Sequence, residues 1–152
     1  ISAEEGNGLL AAYSYFEGVQ NAENEAFLAR MDAKFGANRA TMNELTVRSY
    51  EGAMLWAEAV KLADSVEHAE VSAALKSGLT YNGPSGPITI DPQTNHAIQN
   101  VVLGELQDQE FNIVASYEAE PPADTQLVCD LNADPTLSTF YFENGLAAAG
   151  ID

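Results

Sequence analysis

Residues 81–96 read Tyr81-Asn82-Gly83-Pro84-Ser85-Gly86-Pro87-Ile88-Thr89-Ile90-Asp91-Pro92-Gln93-Thr94-Asn95-His96, a passage that breaks, turns and restarts the chain. Gly83-Pro84 and Gly86-Pro87 impose two bends, because glycine adopts backbone angles closed to other residues and proline fixes φ. Proline can open a strand but not sit inside a central one, so Ile88-Thr89-Ile90 reads as a short strand beginning at Pro87. Asp91-Pro92 stops it with a turn-forming pair. No nucleophile stands in register with a base here. On physical grounds alone the passage is a structural joint between two substructures.

On the N-terminal side, residues 2–8 are small, acidic and glycine-rich and read as a loop. Residues 9–16 form a continuous apolar and aromatic run before Gly18, which predicts a buried strand. Its end, Tyr13-Ser14-Tyr15-Phe16, sets two hydroxyl-bearing rings on one face and a benzyl group on the other. That end reads first as ordinary core packing, with the wall of a binding pocket as its functional alternative. Asn21 is a predicted N-cap, with Glu23 and Glu25 in the first turn where the helix dipole favours acids. Phe27, Met31 and Phe35 give one apolar helix face that ends at Gly36. After a polar connection at 41–45, a second helix is expected over 46–63. Val47, Tyr50, Met54 and residues 56–60 make its broad apolar surface, and Gly52 costs it about 1 kcal/mol relative to alanine. Ser65 is expected to cap a third helix over 66–77, with Val71 and Leu75 inward and His68 on its solvated face.

Beyond the joint, residues 100–106 and 112–117 are β-rich runs separated by Gln107-Asp108-Gln109-Glu110, a hairpin pattern without the strongest Asn-Gly turn chemistry. Val101, Leu103 and Ile113 are expected on one face. His96 reads as a structural residue orienting a turn. Residues 118–124 form an acidic, proline-containing break. Residues 126–131 are expected to be a last strand carrying Cys129, followed by an aromatic run at 139–142 and an alanine-rich stretch at 146–150.

The chain has 152 residues, of which 46% are hydrophobic and 19% charged, within the size of one domain and typical of a globular protein. Its formal charge of -17 repels phosphate backbones and anionic lipid, which argues against nucleic-acid or membrane-surface partners. No apolar run approaches bilayer-spanning length. With 1 cysteine and 2 histidines distant in sequence, neither an intrachain disulfide nor a zinc site is expected. No cofactor or catalytic residue is expected either. An amidase would need a nucleophile with a base or a metal, and Cys129 has no His or basic residue beside it in sequence.

The segment Gly-Pro-x-Gly-Pro at 83–87, the strand after it, Asp91-Pro92 and His96 together resemble the urea- and short-chain-amide-binding members of the type I periplasmic binding proteins, which serve ABC transporters. Residues 49–60, Ser-Tyr-Glu-Gly-Ala-Met-Leu-Trp-Ala-Glu-Ala-Val, are similar to a family helix in which Tyr is followed by Leu-Trp-x-x-Ala-Val. Relatives often carry Glu three positions before that Tyr; here the residue is Val47, so no role of that Glu is carried over. Tyr15-Phe16 matches an aromatic strand end that in the family lies at an interlobe crossover beside the ligand cleft. The resemblance runs from Leu9 to about Tyr117.

The resemblance implies an α/β fold: the C-terminal part of a two-lobed type I periplasmic binding protein, with helices on a parallel sheet plus a β-hairpin from the second lobe. Residues 1–18 would be an interlobe crossover strand, 19–90 the helical part of one lobe, 91–120 a hairpin returning to the other lobe, and 121–152 a C-terminal tail. The parallel sheet would come from a missing N-terminal portion or a companion chain. Ser2-Ala3-Glu4-Glu5 runs almost directly into Gly8, where relatives have a longer helical stretch, so Glu4 and Glu5 are not taken as ligand contacts. The implied function is that of a periplasmic substrate-binding subunit capturing urea or a short-chain amide, without chemistry, for an ABC transporter permease. Tyr13, Ser14, Tyr15 and Phe16 would be its ligand-binding residues from this part. A cytoplasmic amide-sensing regulator and a branched-chain amino-acid-binding protein remain as alternatives on the same fold.

Overall fold

A computed structural model describes residues 2–36, 38–126 and 129–136. The first element was not expected. Ser2 opens a short helix, α1 (Ala3–Gly6), through a capping box in which its hydroxyl accepts from the Glu5 N–H and the Glu5 carboxylate accepts from the Ser2 N–H. Ser-x-x-Glu is the sequence signature of that motif, so the loop expected at 2–8 is corrected by local hydrogen bonding.

The first long helix follows its expected caps. Asn21 accepts from the Asn24 N–H and starts α2 (Ala22–Phe35), which Gly36 ends at φ 85°. Asn43 accepts from the Thr46 N–H and starts α3 (Glu44–Ala63) two residues before the expected position. Asp64, at φ 50° and ψ 37°, closes α3 in the left-handed conformation. The third expected helix is shorter and is not capped by Ser65: α4 spans His68–Leu75, its N-cap is Glu67 with no side-chain cap bond, and Ser65 Oγ accepts from the Glu67 N–H ahead of the helix. His68 is exposed, as expected.

Five strands follow or precede these helices: β1 (Leu10–Tyr13), β2 (Thr80–Gly83), β3 (Gly86–Ile90), β4 (Ala97–Gln107) and β5 (Glu110–Glu120). All pairings among the described residues are antiparallel. The helices do not rest on a parallel sheet within these residues; α2, α3 and the β2–β3 hairpin pack on one another. The Gly/Pro passage is therefore more than a joint. Gly83 pairs with Gly86 and encloses Pro84-Ser85 as a tight turn, with Gly86 at φ 103° where a side chain would be strained.

The spine is β4. Near its start Ile98 pairs with Thr89 of β3, further on residues 102–105 pair with β1, and β5 lies along the opposite edge. Asp108 and Gln109, at φ 52° and 70°, make the β4–β5 turn, the left-handed pair that a two-residue hairpin of type I′ requires. A bulge between Leu103 and Gly104 puts Ile113 opposite Gly104, so Ile113 does not share a face with Val101 and Leu103 as expected.

The expected buried strand at 9–16 divides in two. β1 is an exposed strand, with Leu10 59% and Tyr13 49% accessible, whereas Ser14, Tyr15 and Phe16, which follow it, are buried. The part of the apolar run that is buried is the turn after the strand, where Tyr15 packs on Phe27 and Val47. One core cluster joins Tyr15, Phe27 and Val47, and a second joins Ala59, Val71 and Ala74 where α3 meets α4. Phe27 stacks 5.0 Å from Tyr50, but Phe35 and Trp56, expected inward, are exposed. The last expected strand is also corrected: Gln126 ends a short helix, α5 (Ala123–Gln126), and the Cys129 N–H donates to the Thr125 carbonyl. The aromatic run at 139–142 and the alanine-rich stretch at 146–150 lie outside the described residues.

Candidate functional site

The turn that carries the chain from β1 to α2 forms one wall of a cavity of about 740 Å³. Tyr13, Tyr15, Phe16 and Glu17 line that wall, Met42 and Glu44 the side toward α3, and Glu110 and Phe111 the start of β5. Three of the four residues predicted for a ligand site therefore reach it; Ser14 does not line it. Phe16 meets Tyr13 edge to face at 5.6 Å and Phe111 at 4.8 Å. The close approach is possible because β4 has glycine beneath the rings: a Cβ on Gly104 would lie 2.9 Å from the Phe16 ring.

Two of the hydroxyls are already engaged. Tyr15 Oη donates to Asn24 Oδ1 at 2.9 Å, and Asn24 Nδ2 donates to the Glu17 and Val19 carbonyls. Burial, with the Glu17 carboxylate nearby, pushes the Tyr15 phenol well above its ordinary range, so it stays a neutral donor. Ser14 Oγ donates to Glu44 and accepts from Arg48 Nε at 2.7 Å. Arg48 Nη1 in turn reaches Glu51 Oε2 at 3.0 Å, and Glu51 Oε1 accepts from both the N–H and the hydroxyl of Ser85 at 2.7 Å. Glu51 is fully buried, so these donors replace the water that its carboxylate gives up. Burial pushes the Arg48 guanidinium down while Glu51 and Glu44 draw it back up.

Sequence reasoning passed over Glu44, Arg48 and Glu51. Their spacing of four and then three residues puts all three on one helical face, and that was the available signal. Glu17 is likewise held: it accepts two bonds from Arg39 at 3.1 Å and one from the Met42 N–H at 2.6 Å. The cavity thus presents rings and carboxylates held by internal donors.

A second cavity, of about 580 Å³, lies between the start of α2, the β2–β3 turn and the β4–β5 pair, and includes Asn21, Asn82 and Asn100. His96 is exposed, and its backbone carbonyl accepts from the Asp91 N–H. Among the described residues, no group of three or more His, Cys, Asp or Glu is arranged to hold a metal ion. None of the described helices is long and apolar enough to cross a membrane.

Residues 1–127 match the family model of the periplasmic binding protein domain. A solute-binding protein of an ABC transporter from Rhodopseudomonas palustris HaA2, solved with p-hydroxybenzoic acid, is 32% identical with a TM-score of 0.66, the match covering 78% of this chain and 33% of that one. A counterpart from Rhodopseudomonas palustris BisB5, solved with 3,4-dihydroxybenzoic acid, is 28% identical with a TM-score of 0.68, over 79% of this chain and 34% of that one. The Leu/Ile/Val-binding protein homolog 6 of Brucella abortus is 25% identical over 99 residues, 65% of this chain and 25% of the relative. The chain thus spans about a third of the length of the two solved proteins and about a quarter of that relative. The antiparallel β1–β4–β5 unit, the helices beside it and the matched residues 1–127 fit together in one assignment: the chain belongs to the periplasmic binding protein domain family, with its type I α/β fold.

Proposed function

We propose that the protein is a periplasmic substrate-binding subunit that captures urea or a short-chain amide for an ABC transporter permease and does no chemistry on it. The supporting observation is the composition of the 740 Å³ cavity, whose aromatic walls stand beside Glu17, Glu44 and Glu110. Carboxylate oxygens accept hydrogen bonds and repel anions, so this wall suits a solute rich in N–H donors. An uncharged amide can enter it without leaving a buried donor unpaired. Tyr13 and Phe16 touch the solute in this reading, with Tyr15 forming the floor and Ser14 holding the wall. In this reading residues 1–18 are the interlobe crossover strand, residues 19–90 the helical part of one lobe, residues 91–120 a hairpin returning to the other lobe and residues 121–152 a tail. Closure of the lobes excludes water, with the crossover strands absorbing the rotation.

A second reading has its own support: the Brucella abortus relative is named for Leu, Ile and Val, and carboxylates also suit an amino acid's ammonium group. Isothermal titration of the full-length protein with urea, acetamide, leucine and 4-hydroxybenzoate separates the two. Saturable binding of urea or acetamide, weakened by Glu44→Gln, is the expected result. Binding of leucine alone supports the second reading, and preference for 4-hydroxybenzoate overturns both.

A further inference from the structure

The chain of contacts from Ser85 to Ser14 is buried at Ser85 and Glu51, part-buried at Arg48, and links two separate turns of the fold. It begins in the β2–β3 turn, where the Ser85 N–H and hydroxyl both donate to Glu51 Oε1. It crosses one face of α3 through Glu51 and Arg48 and ends on Ser14 and Glu44. Arg48 is the central piece. One planar guanidinium meets Glu51 through Nη1 at 3.0 Å and Ser14 Oγ through Nε at 2.7 Å, with Nη2 3.4 Å from the Ser14 carbonyl. A guanidinium can bridge two such partners at fixed geometry, whereas an ammonium on a flexible stem cannot. Ser14 lies between Tyr13 and Tyr15, which both line the cavity, and Glu44 lines it directly.

We infer that Arg48 and Glu51 are positioning residues for the cleft: through Ser14 and Glu44 they fix the angle at which residues 13–16 leave β1, and so the shape of the aromatic wall. The contacts favour this over a purely structural role in two ways. First, no apolar packing could hold Ser14 here, because its hydroxyl, N–H and carbonyl are each bonded to α3 side chains. Second, the far anchor at Ser85 belongs to the turn of another hairpin, so the orientation of that hairpin is transmitted to the cleft wall. Gly83 leaves room for the link, since a Cβ there would sit 2.5 Å from Glu51 Oε1. The inference rests on the cleft reading for its functional consequence, but the placement of residues 13–16 is measurable without any solute.

The test uses Arg48→Lys in the full-length protein, which keeps the positive charge beside Glu51 and removes the fork. Amide hydrogen exchange of the solute-free protein is expected to rise about tenfold at residues 14–16, with the α3–α4 core unchanged. Titration with acetamide is expected to show about tenfold weaker binding. Ser85→Ala, which removes one donor at the far end and keeps the Ser85 N–H bond to Glu51, is expected to move both readouts the same way by a smaller factor. It also keeps the test decisive if Arg48→Lys folds poorly. Val71→Ala, in the core between α3 and α4, is the control for plain destabilisation and is expected to leave both readouts at residues 14–16 and at the cleft unchanged. Variants that lose melting temperature with no change in exchange at 14–16 would overturn the positioning role. If the unmodified protein binds none of the solutes tested, the cleft reading fails, while the exchange measurement still decides whether the network positions the wall.

Discussion

Replacing Phe16 by alanine tests whether one side chain serves both the fold and the cleft. The ring is 8% accessible, lies over Gly104, and meets Phe111 at 4.8 Å and Tyr13 at 5.6 Å. Truncating a buried phenylalanine typically costs about 3–5 kcal/mol, part of it from the cavity left behind. Here the ring already borders a cavity of about 740 Å³, so water can occupy the vacated space and the cost falls toward the lower end, about 3 kcal/mol. The ring pair with Phe111 supplies about 0.5–1.5 kcal/mol of that, which a double-mutant cycle with Phe111→Leu isolates. Urea denaturation of the full-length protein measures the loss, and acetamide titration under conditions where the variant stays folded measures affinity. Weakened binding together with the stability loss is the expected pair of results. A stability change below about 1 kcal/mol would refute the packing argument. Unchanged affinity beside a large stability loss would confine Phe16 to the core.

Four further outcomes follow from named contacts. Gly104→Ala forces a Cβ to 2.9 Å from the Phe16 ring and is expected to cost about 1–3 kcal/mol in chemical denaturation, with perturbed near-ultraviolet circular dichroism from the displaced rings. Tyr15→Phe removes the donor to Asn24 Oδ1 inside the core and is expected to cost about 1–3 kcal/mol; a neutral result would show that Asn24 finds another partner. Asp64→Gly relieves the left-handed C-cap of α3 and is expected to raise stability by about 0.5–1 kcal/mol, read as a higher melting temperature. For Asp91, burial pushes the carboxyl up, but hydrogen bonds from Thr94 and Gln126 and the N–H groups of Gln93 and Thr94 outweigh it and leave the pKa below the ordinary aspartate value. A depressed folded pKa stabilises above the unfolded value of about 3.9 and is lost as pH falls through the folded one. Thr94→Val is therefore expected to flatten the acid limb of a stability–pH curve, and an unchanged limb would remove Asp91 from acid denaturation.

The sequence by itself determined the features whose cause is local. Asn21 and Gly36 bound α2 because a side-chain oxygen can satisfy an early N–H and glycine alone takes a left-handed end without strain. The Gly/Pro spacing set the turn at 83–86, and the polar gap between two β-rich runs set the β4–β5 hairpin. Through the resemblance carried by the Gly/Pro passage, residues 49–60 and Tyr15-Phe16, membership of the periplasmic binding proteins was also legible. Tertiary structure decided what depends on which surfaces meet. The apolar run at 9–16 reads as one buried strand, yet Leu10 is exposed and Tyr15 buried, because Phe27 of α2 and Val47 of α3 pack on the turn after β1 while Leu10 and Tyr13 of the strand itself stay about half exposed. Phe35 and Trp56 fit their helix stripes in spacing but remain more than half exposed. The network from Ser85 through Glu51 and Arg48 to Ser14 joins positions 34 residues apart at each end. No periodicity encodes such a contact, because it exists only once the helix, the turn and the strand exit are brought together. A fully buried Glu51 is tolerable only in that assembled state, where two serine donors and a guanidinium stand in for water.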